Sequence, residues 1–400
     1  NFVEDSDNRQ TIFLHAQKYI MILVGKWYIG FPNRTVNRIY KTYSLFVEAY
    51  FVLMTQQILI SAIYYRKCPE RTMELICYYI QYSNSNICSL MSKRKTIKAV
   101  FNHIIDHERQ YISQPRGDIY LKYTKLNLKV VKFFVVLTVI AAVIWYIIAV
   151  KNTFSAKIDA LCIVKKALNY QIWYPYNLYN NYFWITLLAD VLIYICVVSV
   201  HIYNKITPVS FLIYILGQVK ILQEMIRCIE KDANDIQSRM DNGSHDKAVF
   251  VAINKCATKH QEVIRLMTLI DIGCKEIVLI SFFTNSLELA AYAIKLLTEE
   301  EVFGALRTIA VICTTIAQLF IFFWFANEVK VESAAISDII YYETDWLNYG
   351  NLARRHLSLM MMRSQRPLTI SAAAIGDMSL DTFNRVSQYD PSNPCFVIFW

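Results

Sequence analysis

Five stretches of this chain stay apolar for the length of a membrane span: Tyr43–Tyr64, Leu128–Val150, Tyr182–Tyr203, Ile277–Leu297 and Leu306–Phe325. A helix rises 1.5 Å per residue, so about 20 apolar residues cross a hydrocarbon layer roughly 30 Å thick. Lipid offers no partner to a free backbone N–H or C=O, so such runs are expected as helices. Two weaker segments join them. Met73–Met91 carries Gln81, Asn84 and Asn86, and a span that polar faces a cavity or other helices rather than lipid. Leu368–Val386 contains Asp377, Asp381 and Arg385. The expectation is an all-α integral membrane bundle of seven transmembrane helices.

The balance of residues agrees. Hydrophobic side chains make up 55% of the 400 residues and charged ones 18%, where a soluble domain carries about 25% charge. A net charge of +9 raises nucleic acid as a partner. The basic residues sit between the apolar runs and form no stripe of their own, so that partner is not expected. None of the ten Cys forms C-x-x-C, and no Cys/His spacing points to a metal site. G-x-S-x-G, a Walker loop and H-E-x-x-H are missing, so neither catalytic residues nor a cofactor is expected. His260 is read as a polar packing residue of a cytoplasmic helix, because no second ligand lies at useful spacing.

Orientation follows from Lys and Arg, which concentrate on the cytoplasmic side of a membrane. With the N-terminus inside, 31 of the 41 fall on cytoplasmic segments. The cluster Lys93, Arg94, Lys95 and Lys98 weighs most, because it adjoins a span. Seven spans then place the C-terminus outside. The sequons at Asn33 and Asn242 fall on the cytoplasmic side and are expected to carry no sugar. Residues 1–20 show no basic head, apolar core and cleavage site, so no cleaved signal is expected.

The inside segments are expected to be helical too. Residues 211–230 and 248–275 show apolar positions at helical spacing, as if spans continue past the bilayer. Ile336, Ile339, Ile340, Trp346 and Leu347 recur near i, i+3, i+4, one amphipathic face for this chain's own helices or for another subunit. Four regions result: a cytoplasmic segment 1–42, six spans over 43–328, an amphipathic anchor helix over 329–366, and a final helix with its tail over 367–400.

The most specific words lie in the last quarter: AQLFIFFWFANEV (Ala317–Val329), IYYETDW (Ile340–Trp346), RSQRPLTISA (Arg363–Ala372) and MSLDTF (Met378–Phe383). In order and spacing they resemble the C-terminal signature of insect odorant receptors. Leu23–Trp27, Trp173–Pro175 and His260–Ile264 look like further family segments, more diffusely. The resemblance implies an odorant-gated, nonselective cation channel passing Na⁺, K⁺ and Ca²⁺. It implies a heterotetramer in the plasma membrane, with each subunit giving one final helix to a central pore. It also implies a shared co-receptor as partner. That co-receptor has a longer cytoplasmic insertion, so this chain reads as the tuning subunit. After Phe383 the chain departs from the family, with Pro391 and Pro394 where a helix would continue.

A volatile odorant is small and apolar, so its pocket is expected to be aromatic, dry and largely non-directional. The outer halves of the spans then nominate Tyr78, Tyr79, Tyr82, Trp145, Phe183, Thr186, Leu187 and Tyr292. Tyr and Trp each add one hydrogen-bonding handle; membrane-belt packing is the plain alternative for every one of them. Asp190 and Glu288 are carboxylates inside spans, where a charge is costly and marks function or a bond to a neighbouring helix. The pore helix is assigned Leu380, Phe383 and Val386, and the subunit anchor Trp346, Arg363 and Arg366. The two arginines read equally as headgroup or cross-subunit contacts and as ordinary inside anchors. Cys68 and Cys162 both fall outside, where a pair is open to oxidation, although no spacing fixes their distance.

A gustatory receptor of the same superfamily is the nearest rival reading. A G-protein-coupled receptor calls for the opposite orientation and for D-R-Y and N-P-x-x-Y, which are missing. A transporter calls for internal repeats and broken helices.

Overall fold

A computed structural model describes residues 12–27, 31, 33–67, 69–92, 94–113, 116–155, 183–239, 244–298, 302–372 and 376–380. Among them the chain is almost entirely helical: α1 (His15–Leu23), α2 (Arg34–Tyr64), α3 (Pro69–Met91), α4 (Lys95–Ser113), α5 (Gly117–Ser155), α6 (Phe183–Arg227), α7 (Ile229–Gln237), α8 (His245–Thr298), α9 (Val302–Glu343) and α10 (Asn351–Ser364). Six of the apolar segments fall on α2, α3, α5, α6, α8 and α9. Four of these helices are long and apolar enough to cross a membrane: α2, α5, α6 and α9. As the spacing anticipates, α8 and α9 run well beyond their apolar runs, over 54 and 42 residues.

The middle of α6 is the axis of the bundle. From Ile206 to Leu216 nearly every side chain is apolar and buried, and a helix hydrophobic all round belongs inside. It packs against α1, α3, α5, α8 and α9. Pro208 lies within it, so one helical N–H is missing there. By contrast Leu45, Phe46, Leu53, Ile140 and Ile147 stand exposed on the outer faces of α2 and α5, a surface that suits a lipid solvent.

At the opposite end from the start of α9, α4, α7 and α10 all pack on α8. The region 329–366, expected as one anchor helix, is two. α9 ends at Glu343, the chain turns, and α10 begins at Asn351. Ile336, Ile339 and Ile340 are buried as the amphipathic pattern requires. Trp346 is half-buried with its ring 6.1 Å from Tyr341, whereas Leu347 is exposed, because the face is interrupted by the turn. Arg363 turns back and donates to the carbonyl of Arg366 at 2.7 Å, with Arg366 exposed.

The expected helix over Leu368–Val386 is a correction. Residues 368–372 and 376–379 are not helical; Ser371 and Asp377 form an isolated antiparallel bridge and Gly376 has φ +95°. Only Leu380, half-buried against the core, is helical before the described residues end. The reason is competition for backbone donors. Pro367 has no N–H. The N–H of Leu368 goes to Ser333 Oγ at 2.8 Å, and that of Ser371 to Asp271 Oδ1 at 2.7 Å. Side chains of α9 and α8 therefore take what a helix would need. Phe383 and Val386 lie outside the described residues.

His260 is buried in the first half of α8. Burial, and then the nearby Arg363 guanidinium, push its imidazole down to about 4. The ordinary value is 6.5, so between pH 6.5 and 4 the unfolded chain takes up a proton that the folded chain refuses. Stability is therefore lost as pH falls through that window and is unaffected above it, by an amount on the order of 2–3 kcal/mol. Thermal melts of the detergent-solubilised protein at pH 7.5 and 5 check this. His260→Gln should shrink the gap between the two midpoints, and an undiminished gap would assign it to other groups.

Candidate ligand cavity

Six helices meet around a cavity of about 120 Å³; a lone water needs only about 10–15 Å³. It lies near the ends of α5 and α8 and the starts of α3 and α9. Phe51 comes from α2 and Tyr78, Gln81 and Tyr82 from α3. Trp145 comes from α5, Tyr194 and His201 from α6, Glu288 and Tyr292 from α8, and Thr314 and Thr315 from α9. Helical spacing accounts for the convergence: Tyr78, Gln81, Tyr82 and Ser85 are one stripe of α3, and Glu288 and Tyr292 are one turn apart on α8. The rings pack edge-to-face between Tyr78 and Trp145, at 5.7 Å, and stacked between Phe51 and Tyr82, at 5.6 Å.

A charged cluster closes one side. Glu74 accepts hydrogen bonds from Lys295 at 2.7 Å, Arg307 at 3.3 Å and the Tyr78 hydroxyl at 2.7 Å. The Arg307 guanidinium lies over the Trp145 ring, 4.6 Å from its centroid. This cation–π contact joins the cluster to the cavity wall. In the wall itself, Gln81 donates to Glu288 at 2.9 Å.

A second, smaller cavity of about 50 Å³ lies further toward α10. Lys205, Pro208, Asn285, Phe322 and Met378 are among its walls. Lys205 donates to Asn285 at 2.6 Å. Gln318 belongs to the second cavity and also contacts His201 of the first at 3.3 Å. It donates onward to Thr138, another wall residue of the first cavity, at 3.3 Å. One side chain thus bridges the two spaces, and the second reaches Met378, in the segment that follows α10.

Of the residues nominated from sequence, the fold brings Tyr78, Tyr82, Trp145 and Tyr292 to the first cavity. Tyr79 packs against the core without lining it. The side chains of Phe183, Thr186, Leu187 and Asp190, and both Cys68 and Cys162, lie outside the described residues. Glu288 is buried in the wall. Sequence reasoning missed Phe51, Tyr194, Gln81 and His201 as wall residues. The signal for Gln81 was present: a polar residue in a span faces inward. The same rule applies to His201. Phe51 and Tyr194 had none, being single aromatics among many.

Comparison with known proteins bears on the family and the fold. A family model described as "7tm Odorant receptor" matches residues 72–389. Odorant receptor Or2 of Anopheles gambiae is 23% identical over 174 residues, 44% of this chain and 45% of that protein. Odorant receptor 10 of Aedes albopictus is 27% identical over 176 residues, 44% of each chain. The odorant receptor coreceptor of Anopheles gambiae is 28% identical over 137 residues, 34% of this chain and 28% of its own length. The matched stretches thus span less than half of these relatives. The solved insect olfactory receptor OR5 from Machilis hrabei has a similar fold, with a TM-score of 0.72 at 16% identity, over 93% of this chain and 95% of that one.

Proposed function

Because this chain belongs to the 7tm odorant receptor family, a family of receptors rather than enzymes, we propose that it is the tuning subunit of an odorant-gated cation channel. It works beside a co-receptor in a heterotetramer of the plasma membrane, with its N-terminus in the cytoplasm. A small volatile organic molecule occupies the aromatic cavity, and Na⁺, K⁺ and Ca²⁺ pass through the central pore. The observation that carries the reading is the convergence of Tyr78, Tyr82, Trp145 and Tyr292, from three helices, on one cavity.

The physical logic is a shift between two arrangements. A ligand opens the channel only by the difference in its affinity for open and closed forms. The path available for that difference runs from the first cavity through Gln318 to the second, where Met378 stands two residues before the helical Leu380. Movement of α9 against α6 at Gln318 is thereby transmitted to the start of the pore helix. The anchor residues Trp346, in the turn after α9, Arg363, at the end of α10, and Arg366, just beyond it, hold the subunit against its neighbours.

The test is co-expression with a family co-receptor and current recording against a broad odorant panel. Trp145→Ala and Tyr292→Ala should raise the half-maximal concentration of an activating odorant about tenfold or more, since each removes one large wall element from a small cavity. Silence across the panel with normal surface expression would count heavily against the channel reading. A sugar found at Asn33 would reverse the orientation.

A further inference from the structure

We propose that the cavity selects odorants that carry a hydroxyl group, alcohols or phenols, by a clamp made of Glu288 and Tyr292. This rests on the reading of the cavity as the odorant site, and it replaces a non-directional pocket with a directional one.

The case begins with which wall protons are already committed. The Tyr78 hydroxyl donates to Glu74, that of Tyr194 to the carbonyl of Ala142 at 3.0 Å, and that of Thr314 to the carbonyl of Ala310 at 2.7 Å. Three hydroxyls of the wall thus have their hydrogens turned away from the cavity. Glu288 is the strongest acceptor left. Its carboxyl group accepts one hydrogen bond, from Gln81, and a carboxylate has about four acceptor positions. Tyr292, one helical turn on, makes no hydrogen bond among the described residues, although it is buried and lines the same cavity. A phenol that is buried normally finds a partner.

A hydroxyl oxygen answers both needs at once. Its proton goes to Glu288 and one lone pair accepts from Tyr292. An ether, ester or aldehyde offers only the second bond and leaves the carboxyl group desolvated, which is the costly arrangement. An amine would supply the proton but brings a cation. Lys205 already stands across from α8, bonded to Asn285 one turn before Glu288, and Arg307 covers Trp145 on the other side. With Lys295 also on that side, a fourth positive charge in that space is repelled by the three. The aromatic walls take the rest of the ligand.

The measurement uses the full-length chain with its co-receptor and matched panels. Each scaffold, phenethyl and straight-chain, is presented as the alcohol, its methyl ether, the aldehyde and the amine. Wild type should respond to alcohols at roughly tenfold lower concentration than to their methyl ethers, the ratio that one additional buried hydrogen bond supplies. In Glu288→Gln the ratio should fall to threefold or less, because an amide both accepts and donates and so readmits the ether. Equal responses to alcohols and ethers in wild type would overturn this inference while leaving the cavity an odorant site. That comparison needs no variant to fold. A ratio that survives in Glu288→Gln would also overturn it. If Trp145→Ala and Tyr292→Ala leave every response unchanged, the cavity itself is not the odorant site, and both readings fall together.

Discussion

Glu74→Ala should lower the stability of the folded chain by about 2–4 kcal/mol, the largest effect expected of any substitution at the cavity's rim. The carboxylate holds together three helices: it belongs to α3 and binds Lys295 of α8 and Arg307 of α9. The three side chains are only 20%, 23% and 12% exposed. Removing one partner of a shielded ion pair costs about 3–5 kcal/mol, since the remaining charge stays desolvated, and the residual exposure here discounts that figure. The loss should therefore be mostly repaired when the stranded cations are removed as well. The triple change Glu74→Ala, Lys295→Met, Arg307→Met is expected to melt nearer to wild type than Glu74→Ala alone. Thermal midpoints in detergent, with surface abundance in cells as a second readout, decide it. If the single and triple variants melt together below wild type, the loss comes from packing and not from stranded charge.

The second large effect is at Gly25. α1 ends in a pair of hydrogen bonds, Gly25 N–H to Ile22 O at 3.1 Å and Lys26 N–H to Met21 O at 2.7 Å. This is the Schellman arrangement, which needs a left-handed residue. Gly25 has φ +75°. That conformation alone costs a residue with a Cβ about 1–2 kcal/mol. A Cβ there would also stand 2.8 Å from the Cα of Ser44, backbone of α2 that cannot rotate aside. Displacing it would disturb the bond from Ser44 Oγ to Gly25 O at 2.6 Å and the one from Tyr40 Oη to Met21 O at 3.2 Å. It would also disturb the buried Lys26, which donates to Glu48 of α2 and to the Ser89 carbonyl of α3. Gly25→Ala should cost about 2–4 kcal/mol in all, whereas Gly350→Ala should change little, because open space surrounds it. Equal melting of the Gly25 and Gly350 variants would refute the crowding argument.

These two sites show where the sequence was and was not readable. The segment Leu23–Trp27 stood out as a diffuse family word, but nothing in it announced that the glycine lies directly against the backbone of Ser44 in α2. Glu74 drew no notice in the sequence, being one acid at the polar start of a weak span. Its importance arises only because Lys295 and Arg307, more than 200 residues away, are folded against it. The stretch after Pro367 misled for the same reason. Its apolar content reads as a weak span, and its backbone donors are claimed by Ser333 and Asp271, 35 and 100 residues distant.

What the sequence determined by itself was whatever depends on length and polarity along a short stretch. That covers the all-helical architecture, the places where the apolar helices run, the continuation of α8 and α9 past them, and the family words of the last quarter. Hydrocarbon burial and backbone bonding within one helix are local quantities, so they can be summed from neighbouring residues. Only the tertiary structure decided that stripes from six helices enclose a common cavity, that Gln318 bridges it to a second, and that residues 368–372 are not helical. Those outcomes rest on hydrogen bonds, ion pairs and close approaches between residues far apart in the chain, and no local pattern encodes which distant partner will arrive.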